Sequence, residues 1–280
     1  CIGSKPKGSV MRGGVFCLIG WLGVLAACTS PPPEAVPIPV ASDPVLPAGD
    51  PVEGLRVATR VGCNGCHGAD VGGRVFIEDE KQGLIVAPNL TVLRHKYTDE
   101  GLAALLHEGL THDGHVPWGM PIQMFQHLSH REVRDITAWL RALPDTAGSA
   151  PAASAWSPEL AAAIADGSHE WLPDMKPSPG NVPPAAPPTE TLALGRHLAM
   201  TSCTECHAWD LNGWGGPQDA PNLVVAKAYT AEQFARLMRT GEIATGGQSA
   251  SGMMSKVAAF RYSVLTDAEV AALKAYLDSR

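Results

Sequence analysis

Two cysteines and a histidine recur at one spacing, as Cys63-Asn64-Gly65-Cys66-His67 and as Cys203-Thr204-Glu205-Cys206-His207. Cys-x-x-Cys-His is the attachment signature of c-type haem, and its spacing has a chemical cause. Two thiols three residues apart reach the two vinyl groups on one porphyrin edge and form thioethers. The adjacent imidazole then lies beneath the ring and ligates iron. The same residues permit a zinc site or a redox dithiol, but a four-cysteine zinc ribbon wants its pairs far closer in sequence than Cys66 and Cys203. Cys1, Cys17 and Cys28 all fall in the N-terminal export region, which leaves no cysteine for a disulfide framework. Two covalently bound haem c groups are therefore expected, held by Cys63, Cys66, Cys203 and Cys206, with His67 and His207 on iron.

The elements that must position these residues also repeat. Ala87-Pro88-Asn89-Leu90 returns as Ala220-Pro221-Asn222-Leu223, and Tyr97-Thr98 as Tyr229-Thr230. LSHREVRDITAWL (128–140) returns as LTDAEVAALKAYL (265–277). Ser129-x-x-Glu132, Thr266-x-x-Glu269 and Thr230-x-x-Gln233 are capping boxes that start helices. Behind two of them, Val133, Ile136, Trp139 and Leu140 share one helical face, as do Val270, Leu273, Tyr276 and Leu277. Gly54 and Gly195 sit in short helices just before the cysteine pairs, where a glycine lets the first and last helices of a domain cross closely. Alternating strands are not prominent, so each half reads as mostly helical with long loops.

With these features in place the chain resembles the class I cytochromes c over residues 52–143 and 190–280. The fold class implied is mostly α, with two tandem domains of a few short helices wrapped round a haem. The resemblance puts Pro88 and Pro221 in the role of the proline whose carbonyl receives the second nitrogen of the ligating histidine, a bond that orients the ring and raises its basicity. It implies a methionine as sixth ligand, since a thioether favours Fe(II) and raises the potential. Met120, followed by Pro121 and just upstream of the last helix, is the expected ligand of the first haem, ahead of Met124 as core filler. Met254 is expected in the second, with adjacent Met253 as its competitor; neither precedes proline, which departs from the family pattern. His107, His112, His115, His127 and His130 compete for the first iron, whereas surface positions are the commoner place for such residues.

Eighteen of the twenty-four prolines fall in 31–51 and 144–188. The organisation expected is a lipoprotein-type signal peptide over 1–27, a Pro-rich tether over 28–51, cytochrome domains over 52–145 and 190–280, and a Pro-rich linker over 146–189. Within the linker, 157–165 reads as a short helix, Trp171-Leu172 as a packing contact between domains and 177–188 as extended chain. Met11, Arg12 and an apolar run from Val15 to Ala27, too short to span a bilayer, precede Cys28. Leu25-Ala26-Ala27-Cys28 resembles a bacterial lipobox, which makes Cys28 the lipidated residue and places the protein on the periplasmic side of a bacterial membrane. Two acyl chains suffice for stable anchoring, and the tether then spans up to roughly 60 Å.

Of 21 Lys+Arg against 28 Asp+Glu, the leader removes Lys5, Lys7 and Arg12 and no acid, leaving 18 − 28 = −10. That balance excludes nucleic acid as a partner and favours redox proteins with basic docking faces. No nucleotide loop, HExxH or nucleophile elbow occurs. The reading is a dihaem electron carrier and not an enzyme. The alternative is an electron-transfer subunit of a larger dehydrogenase or terminal oxidase complex. The enzymatic rival, a dihaem cytochrome c peroxidase, needs one iron with a displaceable ligand.

Overall fold

The computed structural model describes residues 48–148, 153–215 and 220–280. Cys28, the expected signal peptide 1–27 and the tether up to residue 47 lie outside the described residues. The first helix, α1 (Pro51–Val61), begins where Asp50 accepts hydrogen bonds from the amides of Val52 and Glu53, with Pro51 supplying a first-turn position that needs no donor. It stops at Gly62, whose φ of 92° places it in the left-handed region. A one-turn helix, α2 (Cys63–Cys66), follows directly.

The chain then makes strands β1 (Arg74–Asp79) and β2 (Gly83–Ala87), paired antiparallel from Arg74 opposite Ala87 to Asp79 opposite Gly83. Here the structure departs from the expectation of loops. Val75, Phe76 and Ile77 on one side and Leu84, Ile85 and Val86 on the other are residues that fit a pleated surface. The Asp79 carboxylate closes the turn by accepting from the amides of Lys81 and Gln82. The hairpin lengthens the span from the histidine to its proline to 21 residues, against 14 in the second half.

Next come α3 (Leu90–Leu93), α4 (Asp99–Glu108), α5 (Ile122–Phe125) and α6 (His130–Ala142). The Ser129–Glu132 capping box is fully formed. Val133, Ile136, Trp139 and Leu140 are all buried, with Val57, Ile122, Met124 and Leu128, in one core. Each such aliphatic side chain contributes on the order of 1.5–3 kcal/mol by leaving water. At the crossing of α1 and α6, a Cβ on Gly54 would overlap the backbone carbonyl oxygen of Asp135, so only glycine permits this approach.

The linker is strapped to the first half. Strand β3 (Ala155–Trp156) extends the sheet by pairing with β2, and α7 (Pro158–Ala165) starts at a Ser157 cap. Trp171 stacks on Trp118 at 5.8 Å between ring centroids. A 3₁₀ turn, Leu172–Met175, follows. The proline-rich stretch runs alongside α5 and α6: Gln126 accepts from the Ser178 amide at 2.7 Å, and the amides of His130 and Arg131 donate to Pro184 and Ala185.

The second half repeats the plan with α8 (Thr191–Ser202), α9 (Thr204–His207), α10 (Ala231–Thr240), α11 (Met253–Val257) and α12 (Asp267–Ser279). Its capping boxes at Thr230 and Thr266 are formed. Gly195 serves the α8–α12 crossing as Gly54 serves the first, since a Cβ there would overlap the Ala272 carbonyl oxygen. Leu198, Leu211, Leu223, Phe234 and Leu273 centre the second core. Among the described residues no helix is long and apolar enough to cross a membrane.

The halves meet across buried charge. Arg60, 1% exposed, donates to Glu132 at 2.5 Å and to the Thr201 hydroxyl at 2.8 Å. The other Glu132 oxygen accepts from His197 Nε2 at 2.9 Å and from the Ser129 amide and hydroxyl, each at 2.8 Å. One carboxylate thus caps α6 and binds α1 and α8.

Candidate haem-binding sites

Helix α1 delivers Cys63 and Cys66 on the turn immediately beyond Gly62, and α8 delivers Cys203 and Cys206 in the same way. None of the four forms a disulfide. Burial pushes the thiol pKa of Cys63 and of Cys203 up to about 12, and that of Cys206 to about 11. A dithiol redox centre needs a readily formed thiolate, so these environments disfavour that chemistry. Sulfurs held in apolar surroundings suit thioether links.

His67 and His207 are both buried, and burial lowers the pKa of each, which keeps the imidazole neutral as a metal ligand requires. His67 Nδ1 donates to the Pro88 carbonyl at 2.8 Å, and His207 Nδ1 donates to the Pro221 carbonyl at 2.7 Å. These bonds choose the tautomer, leaving Nε2 as the lone-pair nitrogen, and among the described residues no hydrogen bond engages Nε2 in either ring. Gly73 and Gly213 occupy matching positions after the motifs, their amides donating to the carbonyls of His67 and His207 at 2.9 and 2.8 Å.

In the first half a cavity of about 600 Å³ opens against the motif. Cys63, Cys66, His67 and Met120 all border it, within a wall that is mainly apolar and includes Phe76, Ile85, Leu102, Trp118 and Trp156. Its size suits a large cofactor, and its donor set of two thiols, one oriented imidazole and one thioether fits haem c. Met124 is fully buried in the core and is not among the bordering residues. His112 and His115 do border the cavity, His112 stacked on Tyr97 at 5.1 Å. His107 is instead tied to the Leu128 carbonyl at 3.0 Å and packs edge-on against His130. In the second half Met254 packs against the core that contains Cys203, while Met253 is 43% exposed. His197 is the interface partner of Glu132.

Phe76, Ile85, Trp156 and Glu205 carry no local signal for the site, whereas Trp209 and Arg74 stand close to the motifs in the sequence. Phe76, Ile85 and Trp156 reach the cavity through the unforeseen sheet. Trp209, two residues past His207, packs on the first core and donates to Asp174 of the linker at 3.1 Å. Glu205, inside the second motif, borders the first cavity. Arg74 donates to the Gly65 carbonyl at 3.2 Å.

No curated protein matches the chain. The family model described as cytochrome c matches it twice, over residues 52–144 and 192–280, together more than half its length. Domains of that family carry covalently bound haem c and transfer electrons by it. The chain belongs to the cytochrome c family, with two of its domains in tandem.

Proposed function

We propose that this is a dihaem cytochrome c that carries single electrons between redox partners and transforms no substrate. The reading rests above all on one observation, the duplicated bond from the histidine Nδ1 to a proline carbonyl, which prepares two equivalent imidazoles for iron. Cys63 and Cys66 hold one haem and Cys203 and Cys206 the other, with His67 and His207 as proximal ligands and Met120 and Met254 as sixth ligands. Haem iron supplies one-electron cycling between Fe(III) and Fe(II). The protein's part would be to supply a histidine and a methionine to each iron, to exclude water with apolar walls and to hold each imidazole in one orientation. With Met120 and Met254 as ligands, neither iron would keep an open position for peroxide, which disfavours the peroxidase alternative.

Lipidation at Cys28 would fix the carrier to the periplasmic side of a bacterial membrane, with the acidic body facing partners that present basic surfaces. An electron-transfer subunit of a dehydrogenase or terminal oxidase fits the same chemistry, and co-purification with a large partner from detergent extracts would distinguish it from a free shuttle.

The test is holoprotein from a host competent in haem attachment. Pyridine haemochrome should count two haems per chain. Met120→Ala and Met254→Ala should each remove part of the weak long-wavelength sulfur-to-iron band of the oxidised protein and lower one potential. A single haem per chain, or a band insensitive to both changes, would overturn the assignment.

A further inference from the structure

Arg261 is 8% exposed, and neither haem ligation nor helix capping within its own half accounts for a cation there. It lies in a π-helical turn, Ala258–Tyr262, which turns Arg261 and Tyr262 inward together. Such turns recur at functional sites. Its guanidinium crosses into the first half. Nε donates to the Arg60 carbonyl at 3.1 Å and Nη2 to the Val61 carbonyl at 2.5 Å, the last carbonyls of α1 before the first motif. Nη1 donates to Glu205 at 2.8 Å, between Cys203 and Cys206. A Cβ on Gly62, the residue preceding Cys63, would stand 2.6 Å from the Arg261 Cζ.

One guanidinium fork therefore touches the backbone leading into one haem-attachment segment and a side chain of the other. Lysine offers no equivalent planar fork. The arrangement is not inherited from the repeat. The final helices are offset by 265 − 128 = 137 residues, which sets Arg261 opposite Met124, a core residue. Glu205 completes the pattern, because it belongs to the second motif yet borders the cavity of the first.

We propose that Arg261 and Glu205 form a charge clamp between the two haem-attachment segments, acting as positioning residues that hold the segments at one separation and keep either charge from biasing both haem potentials. The inference rests on the reading that both motifs carry haem. Reduction adds one negative charge at iron, so a nearby uncompensated cation favours it and an uncompensated anion opposes it. As a pair, the two side chains nearly cancel.

Glu205→Gln keeps the size and an acceptor for Arg261 but removes the anion. Equilibrium redox titration of the holoprotein should then show both midpoint potentials raised, each Fe(II)/Fe(III) ratio increasing by about tenfold at fixed ambient potential, or 59 mV for one electron. Arg261→Gln should lower both. Arg261→Lys retains the charge without the fork and should leave the potentials closer to wild type than Arg261→Gln does. If Arg261→Gln fails to fold, Glu205→Gln decides alone. Potentials unmoved in Glu205→Gln, or a shift confined to one haem, would overturn the clamp. Pyridine haemochrome on the same samples separates the two levels: fewer than two haems in the unmodified protein sinks the dihaem reading, whereas two haems with unmoved potentials sinks only the clamp.

Discussion

Replacing Glu132 by glutamine tests the buried network that joins the halves. The carboxylate receives Arg60, His197 and both donors of Ser129, and its partner Arg60 is 1% exposed. Two routes give the size of the effect. Breaking a buried pair and stranding the cation costs about 3–5 kcal/mol. Burial alone would raise the Glu132 pKa, but Arg60 and His197 overcome it and hold the value at about 2, against 4.5 for an unperturbed group. That gap corresponds to about 3 kcal/mol of stability. The sign follows from the depressed folded pKa: the contribution is complete above the unfolded value and is lost as pH falls from there through about 2. Denaturant unfolding of the holoprotein, followed by tryptophan fluorescence, should therefore show Glu132→Gln less stable by about 3 kcal/mol at neutral pH, with a smaller deficit near about pH 3. Combining it with Arg60→Met should recover much of the loss, because no charge is then stranded. A deficit under about 1 kcal/mol at neutral pH, or one that does not shrink in acid, would refute the reasoning.

Gly54→Ala and Gly195→Ala should each cost about 1–3 kcal/mol or more, since the added methyl meets a backbone carbonyl that cannot move aside; unchanged unfolding midpoints would contradict the close helix crossings. His127, whose pKa desolvation, Arg196 and His197 push down to about 4 from 6.5, resists protonation in the fold. Its contribution is present above 6.5 and lost as pH falls through about 4, so His127→Gln should flatten the acid loss of stability across that window, as urea midpoints measured against pH would report.

Local chemistry made part of this protein legible in its sequence. The Cys-x-x-Cys-His spacing is imposed by the porphyrin edge and survives any tertiary context. Capping boxes at Ser129, Thr230 and Thr266 and the apolar faces behind Ser129 and Thr266 obey helical geometry that spans only a few residues. The hairpin over 74–87 was harder to read because its short apolar runs carry no clear alternation, and pairing with β3 across some seventy residues helps to fix it.

Buried charges followed another rule. Glu132 stands in the sequence as half of a capping box, and nothing local marks Arg60, His197, Glu205 or Arg261 for burial, because a charge in water is what an isolated segment favours. Only the folded chain brings partners from 65 and 201 residues away, as His197 to Glu132 and Arg261 to the Arg60 carbonyl. The sequence alone determined what each half is built to hold; the tertiary structure decided how the halves face each other, since burying an ion is tolerable only where distant groups arrive to compensate it.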